Sequence, residues 1–438
     1  MLKNIEIKYG NTEQTIHVPL RNLVCVAERR YAPIVTDEET KIAEAIKLSS
    51  IEEVISPSKK VAIIIDDATR PTPTHKILPP LLKKLEEMGV KKDTVLVMAT
   101  GAHEKPNQES IRRKISEEVM NDLNIQVHDC LNKDELTLMG FSSFGTPIWI
   151  NKYVAEADVK IGLGGIKPHP WAGFSGGAKI ILPGVSSWEA IGRNHTLAIS
   201  EEARLGNVEH NPIRKDMEEV ASKVGLNIII NTVLNDEGRI IDVVAGNFIK
   251  AHREGVYTSR KLFEYNIEDE VDVLIIGFGP EDETLWDVLT GKFVGVKQII
   301  KDGGTLILVA SCPNGMYQYG RGHLDYSGKL ADYSKVIELL KSGASPEEMI
   351  SETLRGGMPY LEVGVKAYIL AKLARTKNVI LASQNLKKED VRWLGRVRNT
   401  AQEALDDALK TQGKDAKIAI IHKEELRNYV RQHMFCYL

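Results

Sequence analysis

The chain has 438 residues, 43% of them hydrophobic and 27% charged, with a formal net charge of -3. That length predicts two domains with room for a sizeable core. The near-balanced charge offers no basic field for nucleic acid, and no apolar run nears the roughly 20 residues of a membrane-spanning helix. In chain order, IEIKYG followed by QTIHV alternates and predicts an opening β-hairpin. Val61 to Ile65 reads as a buried strand, Pro79 to Met88 as a helix, Thr94 to Met98 as a strand and Gln108 to Leu123 as a helix. Val159 to Leu163 and Leu226 to Asn231 continue the series, and His252 to Glu264 predicts a connecting helix. A second run of strands comes at 271–277, 305–311, 378–383 and 417–421.

Such alternation predicts an α/β fold: two α/β domains with mainly parallel sheets and an active-site cleft between them. The expected division is 1–250 for a catalytic and cofactor-binding domain, 251–268 for a linker helix and 269–438 for a second domain. The four cysteines, Cys25, Cys130, Cys312 and Cys436, form no C-x-x-C pair. The N-terminus lacks a signal-peptide apolar region, so a reducing, cytoplasmic location is expected.

In open α/β sheets, ligands sit beyond the carboxyl ends of the strands. Here those ends are chemically loaded. The first strand runs into Asp66-Asp67-Ala68-Thr69-Arg70-Pro71, the second into Thr100-Gly101-Ala102-His103, the third into Gly164-Gly165 and then His169. The strand at 271–277 runs into Phe278-Gly279-Pro280-Glu281. The third end opens the run KPHPWAGFSGGAKIILPGVSSWEAIGRNH over 167–195. Strand, glycine-rich turn and helix form an anion site, but the spacing fits neither a Walker loop nor the dinucleotide fingerprint.

Eleven histidines are present. His17, His75, His128, His210, His252, His323, His422 and His433 read as structural or exposed. His103, His169 and His195 stand at strand ends or a helix start beside glycines and read as functional. Arg70 suits a bidentate carboxylate clamp or an ion pair with Asp66 or Asp67. Asp67 suits a helix cap, a partner for Arg70 or an acceptor for a hydroxyl. Lys179, after Gly176-Gly177-Ala178, suits a phosphate contact, a covalent attachment point or a solvated surface position.

Taken together, D-A-T-R-P at 67–71, T-G-x-H at 100–103 and the H-x4-F-S-G-G-x-K…N-H block ending at His195 resemble the nickel-dependent lactate racemase family. The resemblance runs along most of the chain, including KDGGT at 301–305. It implies a racemase or epimerase that inverts C2 of a 2-hydroxyacid by proton-coupled hydride transfer. The implied cofactor is a nickel-pincer nucleotide, a nickel-bearing pyridinium mononucleotide with thioamide and thiocarboxylate arms, joined covalently to Lys179. His195 is the implied nickel ligand. Ser175, Gly176, Gly177 and Thr69 are the implied nucleotide contacts, with backbone N–H groups offered to phosphate. His103 and His169 are the implied acid/base pair, Arg70 the carboxylate clamp and Asp67 its catalytic neighbour. Cofactor-maturation enzymes are implied partners.

The chain departs from the lactate enzymes at Leu285-Trp286-Asp287-Val288-Leu289-Thr290, where the family carries Leu-Tyr-Gln-x-x-Lys. Asp287 replaces a glutamine and Thr290 a lysine. Trp286, Asp287 and Thr290 are therefore expected to set specificity, and a family tryptophan aligns near Val365. Losing a cation and gaining an anion predicts a polyhydroxylated sugar acid, an aldonate such as gluconate. Lactate, malate or another short 2-hydroxyacid is the alternative. A non-catalytic nucleotide- or metal-binding protein on this scaffold needs Lys179 and His195 but not both acid/base histidines. A serine hydrolase using Ser175 lacks the G-x-S-x-G elbow.

Overall fold

A computed structural model describes residues 1–26, 35–57, 59–90, 94–235, 237–263, 265–266, 270–280, 282–290, 299–317, 332–358, 361–422 and 429–430. Glu281, His323, His433 and Cys436 lie outside these residues. The chain opens with the expected hairpin, β1 (Leu2–Tyr9) and β2 (Thr12–Pro19), followed by β3 (Leu23–Val26). Next come α1 (Glu38–Leu48), β4 (Val61–Asp66), α2 (Thr74–Glu87), β5 (Thr94–Ala99), α3 (Gln108–Ile115) and β6 (Asn124–Val127). The helix α2 starts before the expected Pro79 because Ile77 and Leu78 share its buried face with Leu81, Leu82 and Leu85. The single helix expected over 108–123 is broken at Ser116, whose φ of 74° interrupts the ladder before a short helix over Glu117–Asp122.

The first series closes with β7 (Val159–Gly165), α4 (Trp188–Thr196), α5 (Pro212–Val224), β8 (Ile228–Leu234), β9 (Ile240–Gly246) and α6 (Lys250–Phe263). The second comprises β10 (Val271–Gly277), α7 (Leu285–Thr290), β11 (Ile300–Val309), α8 (Leu361–Thr376), β12 (Asn378–Ala382), β13 (Gly395–Arg398), α9 (Ala401–Gln412) and β14 (Ile418–His422).

Two six-stranded sheets result, in the orders β9-β8-β7-β4-β5-β6 and β13-β12-β11-β10-β14-β3. Every pairing in them is parallel except that of the edge strand β9 with β8. Both sheets read as continuous apolar runs because both of their faces are covered. In the first sheet, Ile63, Ile65, Leu96, Met98, Ile161 and Ile230 pack with residues of α1, α2 and α3. Their neighbours Ile64, Val97 and Ile229 face the opposite way and share one apolar cluster with Leu274, Leu308, Leu381 and Ile421 of the second sheet. Each fully buried Ile or Leu contributes about 1.5–3 kcal/mol of transfer free energy. The core between the sheets is therefore continuous.

Two placements differ from the expected division. The strands β1 and β2 pack on the outer face of the second sheet, with Ile7, Ile16 and Val18 against Val273, Ile307 and Ile420, and β3 is that sheet's edge. The helix α6 lies on β8 and β9 instead of spanning between the sheets. Among the described residues no helix is long and apolar enough to cross a membrane.

Candidate active site

A cavity of about 410 Å³ opens at the carboxyl ends of β4, β5, β7 and β8, where a parallel sheet gathers its loops. Register explains the convergence: Asp66 pairs with Ala99 and Ile65 with Leu163, so the strands end level. The wall carries Asp67, Arg70, His103, His169, Ser175, Gly176, Gly177, Lys179 and His195, and α7 and α8 add Thr290, Glu362 and Lys366.

Asp67, 4% exposed, ties the first loop together. Its Oδ1 accepts from the Thr69 N–H at 2.7 Å and the Thr69 hydroxyl at 2.5 Å, and its Oδ2 lies 2.7 Å from His103 Nδ1. Burial alone would raise its pKa; hydrogen bonds from His103 and Thr69 outweigh burial and hold the carboxyl well below its ordinary range. The carboxylate must accept, so His103 carries its proton on Nδ1. Its single Nε2 lone pair then accepts from Arg70 Nη2 at 3.2 Å. Lys114, 6% exposed, braces the loop beneath. Its ammonium reaches Asp66 at 2.7 Å and the carbonyls of Arg70 and Thr72 at 2.9 and 3.1 Å.

His169 is fixed in the opposite sense. It sits on a two-residue hairpin, with Pro168 paired to Phe174 and His169 to Gly173. Its Nδ1 accepts from the N–H groups of Trp171 and Ala172 at 3.3 and 3.1 Å, which leaves the hydrogen of the neutral ring on Nε2. Burial, then the charges of Lys179, Arg70, Arg214 and His195, hold its pKa well below the ordinary histidine value.

The glycine-rich loop is built differently from an anion nest. The Ser175 N–H donates to Lys167 O at 2.8 Å, and the Gly177 N–H donates to Asn231 Oδ1 at 2.8 Å. Gly176 and Gly177 have φ of 76° and 60°, and an added Cβ would meet Asn231 Oδ1 at 2.7 Å and the His252 ring at 2.8 Å. The loop leads into a single 3-10 turn, Gly177–Ile180, and not into an α-helix. The expected set of amides pointing at phosphate is thus corrected: backbone strain and close packing use these glycines, and only Gly176 N–H lacks a partner among the described residues. The Ser175 hydroxyl donates to Gly165 O at 2.7 Å, which leaves it no base as a nucleophile.

Two buried residues hold this loop, and pattern reading passed over the first. Arg214 is fully buried, and its guanidinium donates to Ala172 O at 3.3 Å, Gly176 O at 3.1 Å and Phe174 O. His252, also fully buried, donates from Nε2 to Ser175 O at 2.9 Å, the structural part expected of it. Polar contacts to a distant loop leave no trace in local spacing, so the part of Arg214 and the partner of His252 could not be read from the chain. His128 is likewise structural: it donates to Ser186 O at 3.0 Å, and burial pushes its pKa down to about 4.

Lys179 projects from the 3-10 turn into the cavity, and its ammonium has no partner among the described residues. Burial, then Arg70 and Arg214, push its pKa down to about 7 against the opposing pull of Glu362 and Asp67. At neutral pH much of it is therefore a free amine. His195, near the end of α4, meets Trp171 edge-on with ring centroids 5.4 Å apart. Its Nδ1 is buried with no hydrogen-bond partner, and Glu362 Oε2 stands 3.9 Å away. Burial lowers its pKa while Glu362 opposes, so the ring is a neutral imidazole suited to a metal.

Three expected contacts fall elsewhere. Thr69 is exposed and spends its N–H and hydroxyl on Asp67. Trp286 is buried and stacks on Tyr333 with centroids 5.1 Å apart. Asp287 Oδ2 accepts from the N–H and hydroxyl of Thr284 at 3.1 and 2.7 Å, closing the first turn of α7. Val365 is core, 1% exposed. Of the expected specificity residues, only Thr290 reaches the cavity wall; on α8 it is Glu362 and Lys366, either side of Val365, that do so.

A family model for the lactate racemase N-terminal domain matches residues 9–206. The lactate racemase of Thermoanaerobacterium thermosaccharolyticum is 28% identical over 432 residues, covering 96% of this chain and 97% of that one. The lactate racemase of Lactiplantibacillus plantarum is 30% identical over 390 residues, covering 87% and 88%. The solved structure of the T. thermosaccharolyticum lactate racemase apoprotein superposes with a TM-score of 0.79 at 26% identity, over 98% of this chain and 100% of that one.

Proposed function

This chain belongs to the lactate racemase family, a family of isomerases, and from that premise we propose that it inverts C2 of a 2-hydroxyacid by proton-coupled hydride transfer, with a nickel-pincer nucleotide tethered to Lys179. The observation that carries the reading is the histidine pair. Both rings line one cavity and each is fixed through Nδ1: the His103 Nε2 lone pair is held by Arg70, and His169 carries its hydrogen on Nε2. Two imidazoles on one cavity suit a substrate whose hydroxyl lies on opposite sides in its two enantiomers.

The residues fit the cofactor. Lys179 offers a partnerless, largely neutral amine for the acyl linkage. His195 offers a neutral imidazole for nickel. Among the described residues no three His, Cys, Asp or Glu side chains converge on one point, and the proposed cofactor would bring the other nickel donors itself. Of the loop, Gly176 N–H is left for the phosphate, with Ser175 and Gly177 shaping the floor. When bound, such a cofactor supplies a hydride acceptor and donor beside nickel.

The chain's own groups do the rest. Arg70 holds the substrate carboxylate and in doing so releases His103 Nε2 to take the hydroxyl proton. Asp67 keeps His103 in the right tautomer and stabilises the imidazolium that forms. The flat 2-oxoacid turns about its carboxylate, and His169 serves the opposite face, the roles exchanging for the other enantiomer. To return a proton His169 must carry one on each ring nitrogen, so Nδ1 has to let go of the Trp171 and Ala172 N–H groups, and the surrounding cations oppose that charge. Acylation of Lys179 removes one of those cations, and the entering carboxylate offsets Arg70.

The substrate is read as a polyhydroxylated acid such as an aldonate; lactate is the alternative that the relatives' names favour. The two sheets are read as two domains, with residues 2–26 belonging to the second. A cytoplasmic enzyme loaded by separate maturation enzymes completes the reading. Its test is co-production with those enzymes, then chiral chromatography of lactate, malate and gluconate incubations. Inversion of at least one acid, with a nucleotide-sized mass increment at Lys179, is expected. Cofactor-bearing protein that inverts none of them refutes it.

A further inference from the structure

The substrate's end beyond C2 needs a partner on the cavity wall, and Trp286 and Asp287 are not there. Among the described residues the wall includes two charged groups from α8. Lys366 Nζ pairs with Glu362 Oε1 at 2.8 Å, one helical turn apart, and the side chains are only 12% and 17% exposed. Lys366 Nζ also stands 5.9 Å from the Trp171 ring centroid, on the wall of the cavity that Arg70 and His103 line. Thr290, its hydroxyl bonded to Trp286 O at 2.8 Å, adds a third polar group on this side.

We propose that the Lys366–Glu362 pair is the specificity element of this cavity, selecting 2-hydroxyacids that carry hydroxyl groups beyond C2. This rests on the racemase reading above. The family cation expected at position 290 is threonine here; Lys366 supplies a cation from another helix, already neutralised by Glu362. A second carboxylate meets attraction and repulsion from groups 2.8 Å apart and gains little. A methyl group desolvates both charges and returns no hydrogen bond, the costly case for buried polar groups. A hydroxyl donates to Glu362 and accepts from Lys366 at once, and adjacent hydroxyls do so in series. The pair thus favours polyols over both lactate and malate.

Two readouts test this. The first is calorimetric titration of the full-length apoprotein with gluconate, lactate and malate. The second is kcat/KM for the same acids on cofactor-loaded protein. Wild type is expected to favour gluconate in both. Lys366→Met should lower gluconate kcat/KM relative to lactate on the order of 10- to 100-fold, mostly through KM. Glu362→Gln keeps the shape, leaves Lys366 uncompensated and should shift preference toward malate. Should Lys366→Met fail to fold, Glu362→Gln carries the test alone. Wild type that inverts lactate and binds gluconate no better, or variants that leave the preference order unmoved, overturn the pair's role and spare the racemase reading. Loaded protein that inverts none of the three overturns both.

Discussion

Amine reactivity at Lys179 offers a quantitative check on how the cavity prepares its tether. An ordinary lysine titrates near 10.5, whereas burial, Arg70 and Arg214 push Lys179 down to about 7. Only the uncharged amine attacks an acyl donor. At pH 7 about half of Lys179 is uncharged, against a few parts in ten thousand for a surface lysine, a ratio of roughly 10³. Lower basicity makes each amine a weaker nucleophile, so with a Brønsted slope of about 0.4–0.5 the net advantage should be roughly 20- to 50-fold. The assay is trace acetylation of the apoprotein with labelled acetic anhydride from pH 5 to 10, read by peptide mass spectrometry against surface lysines such as Lys133. Lys179 labelling should rise with pH, bend near 7 and level off by about 8.5. Arg70→Gln removes the second-largest cause of the shift and should move the bend upward. A Lys179 profile that climbs tenfold per pH unit to pH 10, as for surface lysines, refutes the reasoning.

Three further outcomes are expected from the geometry. Asp67→Asn leaves the His103 contact but permits the wrong tautomer, and should lower kcat on the order of 10²- to 10⁴-fold with little change in KM; an unchanged kcat would remove Asp67 from the acid/base machinery. Arg214→Met orphans the carbonyls of Ala172, Phe174 and Gly176, each worth about 1–3 kcal/mol, and should lower the unfolding temperature by several degrees in a calorimetric scan; a change within one degree would mean water replaces the guanidinium. Lys179→Gln removes the nearest cationic cause of the low His169 pKa, so the imidazole midpoint followed by nuclear magnetic resonance should move up toward neutrality, and a fixed midpoint would contradict the coupling.

The features legible in the sequence and those hidden from it divide along a physical line. The strands at 61–65, 94–98, 159–163 and 271–277 were legible because buried parallel strands are continuous apolar runs. The residues at their carboxyl ends were legible for the same reason, since strand ends are where such sheets gather their chemistry. Hence Asp67, Arg70, His103, His169, Lys179 and His195 do line one cavity. Side-chain direction was not legible. Asp287 looked like a substrate contact by alignment, yet a short helix uses it for its own first turn. Thr69 and the Ser175 and Gly177 amides looked available for a ligand and are consumed internally. Arg214, Lys114 and Glu362 act across large sequence separations, where no periodicity reports them. The helix break at Ser116 and the return of residues 2–26 to the second sheet are tertiary outcomes of the same kind.

Return of the hydrogen to the carbon it left separates hydride transfer from proton abstraction at C2. The decisive measurement supplies cofactor-loaded protein with one enantiomer of a 2-hydroxyacid deuterated at C2, in ordinary water, and tracks configuration and isotope content together. Inverted product that keeps its deuterium at C2 is the predicted result. Inverted product whose C2 deuterium has washed out into water contradicts it.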